Sequence, residues 1–168
     1  YAYTDSEVGT HSSVILGNPN SEYKLYDHLD FETGEMTQSW YELPADQTGN
    51  MLPSQAKHKA ATSLVHNVEM SGGSSWTLLG TWAYNGSMYP TIGNVDLYEI
   101  PSSNRFDGSA TWTSADEEIS VMLYVNNITD EITLNELIAS GGHGGMVFLG
   151  SPTNHRELGI TMRWTPQL

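Results

Sequence analysis

Apolar and polar positions alternate with a period of two along most of this chain, the pattern of β-strands with one face turned to a core. Trp76, Leu78, Gly80, Trp82 and Tyr84 alternate with Thr77, Leu79, Thr81 and Ala83, and the turn signal Asn85-Gly86 ends the run. Ile119, Val121, Leu123 and Val125 alternate with Ser120, Met122 and Tyr124. Leu158, Ile160, Met162 and Trp164 alternate with Gly159, Thr161 and Arg163. Weaker strands are expected near Tyr23–Leu29, Met36–Glu42, Ala61–Met70, Asn94–Ile100, Ser109–Thr113 and Met146–Leu149. Clusters of Gly, Pro, Asn and Ser separate them at the spacing of a sandwich. Trp76 and Trp82 share a face with Leu78, which predicts that both indoles are buried.

One stretch breaks the alternation. Thr133-Leu134-Asn135-Glu136 reads as a capping box, with Leu134, Leu137 and Ile138 on one helical face and Gly141-Gly142 as the stop. A helix of this length is unstable alone, so it must lie across a sheet or plug the end of a sandwich. The expected fold is mainly β, a jelly-roll-like β-sandwich with one short helix. No fixed repeat and no linker divides the chain, so residues 17–168 read as one sandwich domain preceded by a segment, 1–16.

Charge narrows the partners. Six Lys and Arg stand against twenty Asp and Glu in 168 residues, a formal net charge of −14. Binding phosphate requires clustered Lys and Arg, so nucleic acid and anionic membranes are excluded as expected partners. Charged residues are only 15% of the chain, so the imbalance comes from scarce bases rather than from acidic runs. With many Ser, Thr, Gly and Tyr residues, that composition fits a secreted or surface protein. The chain has no cysteine, which excludes disulfides, thiolate zinc sites and cysteine nucleophiles. No apolar run approaches the roughly 18 residues of a membrane span. Asn85-Gly86-Ser87 and Asn127-Ile128-Thr129 are sequons, which makes Asn85 and Asn127 candidate glycan sites.

Catalytic signatures are missing from the sequence. The six histidines form no His-Glu-x-x-His, and no Gly-x-Ser-x-Gly elbow occurs. The run Gly141–Gly145 lacks the lysine of a phosphate cradle and reads as a connecting loop. A non-enzymatic protein is expected, with no cofactor other than calcium to consider. Asp27, Asp30 and Glu32 supply hard oxygens close together, as do Asp116, Glu117 and Glu118. Neither cluster has EF-hand spacing, so solvated acidic loops are the alternative reading. Trp40, Tyr41 and Tyr89 are candidates for stacking on a sugar.

The N-terminal stretch Ala2-Tyr3-Thr4-Asp5-Ser6-Glu7 resembles the start of mature TasA/camelysin-type proteins, which typically begin Ala-aromatic-x-Asp-x-Glu. A chain opening on Tyr1 rather than Met fits either signal-peptide removal or a trimmed end. The resemblance extends to Asn50-Met51-Leu52-Pro53-Ser54, where Ser54 replaces the family's usual Gly. It extends also to the late order Ile132–Leu137, Gly141–Gly145, Met146–Leu149 and Glu157–Trp164. The family's Thr-Leu-Asp-Leu stretch is missing, and Val14-Ile15-Leu16-Gly17 stands roughly in its place. The resemblance implies an exported subunit of an extracellular or biofilm-matrix filament. Its N-terminal strand would complete the sandwich of a neighbouring copy, with Tyr1, Tyr3, Val8, Val14 and Leu16 filling the groove. An N-terminal strand that pairs within its own domain, a viral jelly-roll capsid or decoration protein, and a carbohydrate-binding module are the alternatives.

Overall fold

The computed structural model describes residues 1–14, 21–142 and 145–166. Among the described residues twelve strands follow one another: β1 (Ala2–Tyr3), β2 (Ser12–Ser13), β3 (Tyr23–Leu29), β4 (Met36–Glu42), β5 (Ala45–Asp46), β6 (His58–Glu69), β7 (Ser75–Asn85), β8 (Ser103–Thr113), β9 (Ile119–Asn126), β10 (Leu134–Gly142), β11 (Gly145–Pro152) and β12 (Glu157–Trp164). The fold is mainly β, as the alternation predicts. A six-stranded antiparallel sheet in the order β1-β6-β7-β8-β9-β12 is joined by the two-stranded sheets β3-β4, β10-β11 and β2-β5, an arrangement consistent with a β-sandwich. Within the large sheet β6 to β9 form a meander, flanked by strands from the two ends of the chain.

Two local expectations are corrected. The stretch Thr133–Ile138 is not a helix: Leu134–Ile138 is the start of β10, antiparallel to β11. The register shifts between Leu134 and Glu136, a bulge that inserts one residue. Leu134 and Leu137, three residues apart, therefore both stand beside Gly150. That spacing imitates a helical face. Thr133 caps nothing; its carbonyl accepts from the Thr153 N–H and its own N–H donates to the Thr153 hydroxyl, closing the hairpin base. The second correction is Asn94–Ile100, which forms a 3-10 turn over Asp96–Tyr98 and a single bridge from Ile100 to Met88 instead of a strand.

Register decides which side chains share a face of the large sheet. Trp76 stands opposite Val68 and Trp112, Leu78 opposite His66 and Ala110, and Trp82 opposite Thr62 and Phe106. Ala110 stands opposite Leu123, and Leu123 opposite Ile160; Val121 likewise faces Met162. Directly paired residues point to the same side, so one face is apolar across β6, β7, β8, β9 and β12. The other face carries Lys59, Glu69, Arg105, Asp107, Glu157 and Arg163 among Ser and Thr, with Val65, Leu79, Met122 and Tyr124 as its larger apolar and aromatic side chains.

The core, however, does not lie under that apolar face. Among the described residues the buried apolar side chains are Val8, Ala56 and Ile100. They belong to the N-terminal segment, the stretch before β6 and the loop before β8. The Val8 N–H donates to the Asn50 carbonyl, the Ser54 N–H to the Tyr89 carbonyl, and the Asn50 side chain to the Ile92 carbonyl. These bonds gather the three segments at the end of the sheet where β6 begins and β7 ends. The expected burial of Trp76 and Trp82 is accordingly corrected to half-burial: Trp82 stacks on Tyr84 and donates from Nε1 to the Asn104 side chain. Leu64 is 75% exposed and Leu158 78%. Among the described residues, nothing covers the face that the alternating pattern builds.

Candidate assembly surface

The N-terminal segment lies against its own chain. Ala2 and Tyr3 pair with Lys59 and His58 at the outer edge of β6, and Glu7 bridges to Met51. The Tyr1 hydroxyl shares a 2.8 Å hydrogen bond with His58 Nδ1, and the Tyr3 ring lies 5.1 Å from the same imidazole. Lys57 Nζ stands 2.9 Å from Asp5 and 3.6 Å from Glu7. The ammonium of Lys57 and then the hydroxyl of Tyr3 hold the Asp5 carboxyl below the usual range. Asp5 in turn raises both Lys57 and Tyr3. Farther along, β2 pairs with β5, clamped by Gln47, whose fully buried amide donates to the Ser13 carbonyl and hydroxyl.

Of the five groove-filling candidates, only Val8 is buried. Tyr1, Tyr3 and Val14 are exposed, and Leu16 lies outside the described residues. Gln47 carried no signal in the sequence, because a lone Gln in a polar stretch reads as surface. Ser54 did carry one. It sits at φ 57°, in the left-handed region that favours glycine.

Beyond β1, the edge of β6 has no partner strand among the described residues. The Lys57 carbonyl accepts from the Thr4 N–H on the outer side, while the His58 carbonyl accepts from the Gly86 N–H on the inner side. Odd-numbered residues of β6 therefore direct their backbone groups outward. Ser63, Val65 and Asn67 present N–H and C=O groups to a strand not supplied by this part of the chain. The outer edge of β12 is likewise unpaired among the described residues.

No family model, curated protein or solved structure matches this chain. Its surfaces must speak for themselves.

The other candidate residues disperse. Asp27 accepts from the Gln38 side chain across the β3–β4 pair, and Asp30 accepts the Glu32 and Thr33 N–H groups in the turn between those strands. The Glu32 and Thr33 backbone bonds hold the Asp30 carboxyl low. Among the described residues no three acidic or histidine groups come together to hold a metal ion, so the set Asp27, Asp30 and Glu32 is not gathered as a calcium site. In the second acidic stretch Asp116 accepts from the Ser114 hydroxyl and the Glu118 N–H, as a turn residue does.

The two sequons part company. Asn85 is exposed at the end of β7. Asn127 is 3% exposed, and its Nδ2 donates to the Glu131 and Asn154 carbonyls at 2.9 Å each. A glycan on Asn127 would need the nitrogen that these bonds already use, so that candidate is corrected. Trp40 and Tyr41 are exposed on β4, while Tyr89 is half-buried and donates to Asp96. The three therefore do not form one exposed aromatic row.

Proposed function

We propose that this chain is a non-enzymatic structural subunit that assembles with copies of itself into an extracellular or matrix filament by strand addition, head to tail. The observation that carries the reading is the edge of β6. This strand runs twelve residues, and β1 pairs with two of them. A long strand with unmet backbone groups is a template for another strand, and head-to-tail addition does not close on itself. The opposite edge, β12, is also unpaired among the described residues, so each side of the sheet presents an edge for addition.

The intrachain position of β1 fits this reading in a definite way. The segment already recognises the β6 edge, through two backbone-paired residues, the His58 contacts and the Asp5–Lys57 pair. An interaction that small exchanges readily between copies, because the same contacts form in trans. The resemblance of the N-terminal stretch to filament-forming secreted proteins points the same way.

Ser63→Pro tests the edge directly. Proline removes an outward N–H and leaves the β6–β7 ladder intact, because even-numbered residues make those bonds. Negative-stain microscopy of the full chain at rising concentration should show threads, and Ser63→Pro with native circular dichroism should not form them. Threads of unchanged length from Ser63→Pro would contradict strand addition at β6. Closed shells in place of threads would contradict the filament and favour a capsid-like assembly.

A further inference from the structure

The chain exposes 11664 Å² of surface, whereas a compact monomer of 18.5 kDa exposes about 8,200 Å². The excess, about 3,500 Å² per chain, is ample for the roughly 800 Å² that each partner of a standard interface buries. Much of it is side chain that should be inside. Leu64 on β6, Leu123 on β9, and Ile160, Met162 and Trp164 on β12 are all at least half exposed, on one face of the sheet.

We propose that this apolar face packs against the same face of a second copy, so that a complete two-layer sandwich forms only between chains. The proposal rests on the self-assembly reading only in taking another copy as the partner; it uses a face of the sheet, not the β6 edge. Strands spaced about 4.8 Å apart and rising about 3.3 Å per residue give the face a footprint of about 700 Å². Two such footprints remove about 1,400 Å², within the range of a specific interface. Aligned sheets pack about 10 Å apart with interdigitating side chains, which this mostly apolar surface, carrying His66 and Thr62 on β6, permits.

Charge selects the occupant. A chain of net charge −14 should repel its own copies, yet this face carries no Asp, Glu, Lys or Arg on β6, β7, β8, β9 or β12. The charges of those strands stand on the opposite face. The β3–β4 hairpin of a neighbour is a poorer occupant. One of its faces places Asp27 and Glu42 beside Leu25 and Trp40, and the other carries Lys24 and His28. Burying either face would desolvate charges against Leu and Ile. The apolar sheet face is complementary to itself. Such a contact is two-fold and closes as a dimer, leaving the β6 and β12 edges open for extension.

Sedimentation of the full chain tests the contact. The wild type should contain dimers at low micromolar concentration. Leu123→Lys, at the centre of the face, should weaken dimerisation about 100-fold or more by placing an unpaired charge in the interface. Leu79→Lys on the polar face should leave dimerisation unchanged, with circular dichroism confirming the fold of both. The absence of cysteine allows a second readout that needs no destabilising change. A short bismaleimide should link two copies of Ala110→Cys and not two copies of Thr111→Cys, because these neighbours point to opposite faces. An intact dimer in Leu123→Lys, or Ala110→Cys linking to Trp40→Cys of another copy in preference to itself, would overturn the face-to-face contact while leaving self-assembly standing. A wild type that stays monomeric at every concentration would overturn both.

Discussion

Asn127 offers the sharpest energetic test of the folded subunit. It follows β9, with φ 54°. Its Nδ2 donates to the Glu131 and Asn154 carbonyls, and its Oδ1 accepts the Glu131 N–H at 3.1 Å. Its own N–H donates to Asp107 at 2.8 Å, tying the loop to β8. One side chain thus joins the exit of β9 to the entry of β12 and fixes the base of the β10–β11 hairpin. Replacing it with alanine removes these three side-chain bonds in a buried place, at about 1 kcal/mol each, and a long, weak one from the Thr129 hydroxyl. Alanine also bears the left-handed backbone worse than asparagine, by about 1 kcal/mol. Asn127→Ala should therefore lose about 4 kcal/mol, and Asn127→Gly, which accepts that backbone freely, about 3 kcal/mol. Asn85→Ala, at an exposed position, should lose less than about 0.5 kcal/mol. Urea unfolding followed by tryptophan fluorescence, at one fixed protein concentration, measures all three. A loss under about 1 kcal/mol for Asn127→Ala would refute the assignment of this residue as the anchor.

Three further outcomes are expected. The Asp5 carboxyl is held low, so its hold on the N-terminal segment is complete above about pH 4 and lost as pH falls through its depressed value. Lys57 is held high, so its share is complete below about pH 10 and lost as pH rises past its raised value. Aminopeptidase trimming of Tyr1–Thr4 should thus be slowest between these limits, and Lys57→Ala should flatten the profile; trimming of the wild type independent of pH would count against the ion pair. The Tyr124 ring fills the space where a Cβ on Gly159 would stand, across the β9–β12 pair. Gly159→Ala should cost about 1–2 kcal/mol in thermal unfolding, and much less in a Tyr124→Ala background, while equal costs in both would show that the ring does not cover the glycine. Ser54→Gly relieves a left-handed serine and should stabilise by about 0.5–1 kcal/mol in the same assay, and a loss would mean the serine side chain contributes more than its backbone strain costs.

The strands were legible because alternation is a local signal. Tyr23–Leu29 and Met36–Glu42 form β3 and β4 with the predicted bounds, and the pattern at Trp76–Tyr84 runs inside β7. Periodicity failed where a bulge altered it: the inserted residue in β10 put Leu134 and Leu137 on one side, and a Thr at the right offset completed a false capping box. It failed again at Asn94–Ile100, where Asn94 turns left-handed and its side chain bonds both the N–H and the C=O of Met51. Alternation also identifies a face to be covered without saying by what. Trp82 is expected inside because Leu78 shares its face, yet the described residues supply no second layer over that face. The free edge of β6 was invisible for a related reason, since pairing partners come from distant parts of the chain. Asn127 shows the opposite case, a sequon whose triplet is plain in the sequence and whose nitrogen is already in use.

Static light scattering of the purified full chain, across protein concentration and from about 0.1 to about 1 M salt, bears most directly on self-assembly. Screening the net charge of −14 should favour association, so the mean mass is predicted to exceed 18.5 kDa and to rise with both concentration and salt. A mass that stays at 18.5 kDa under all these conditions would contradict the account.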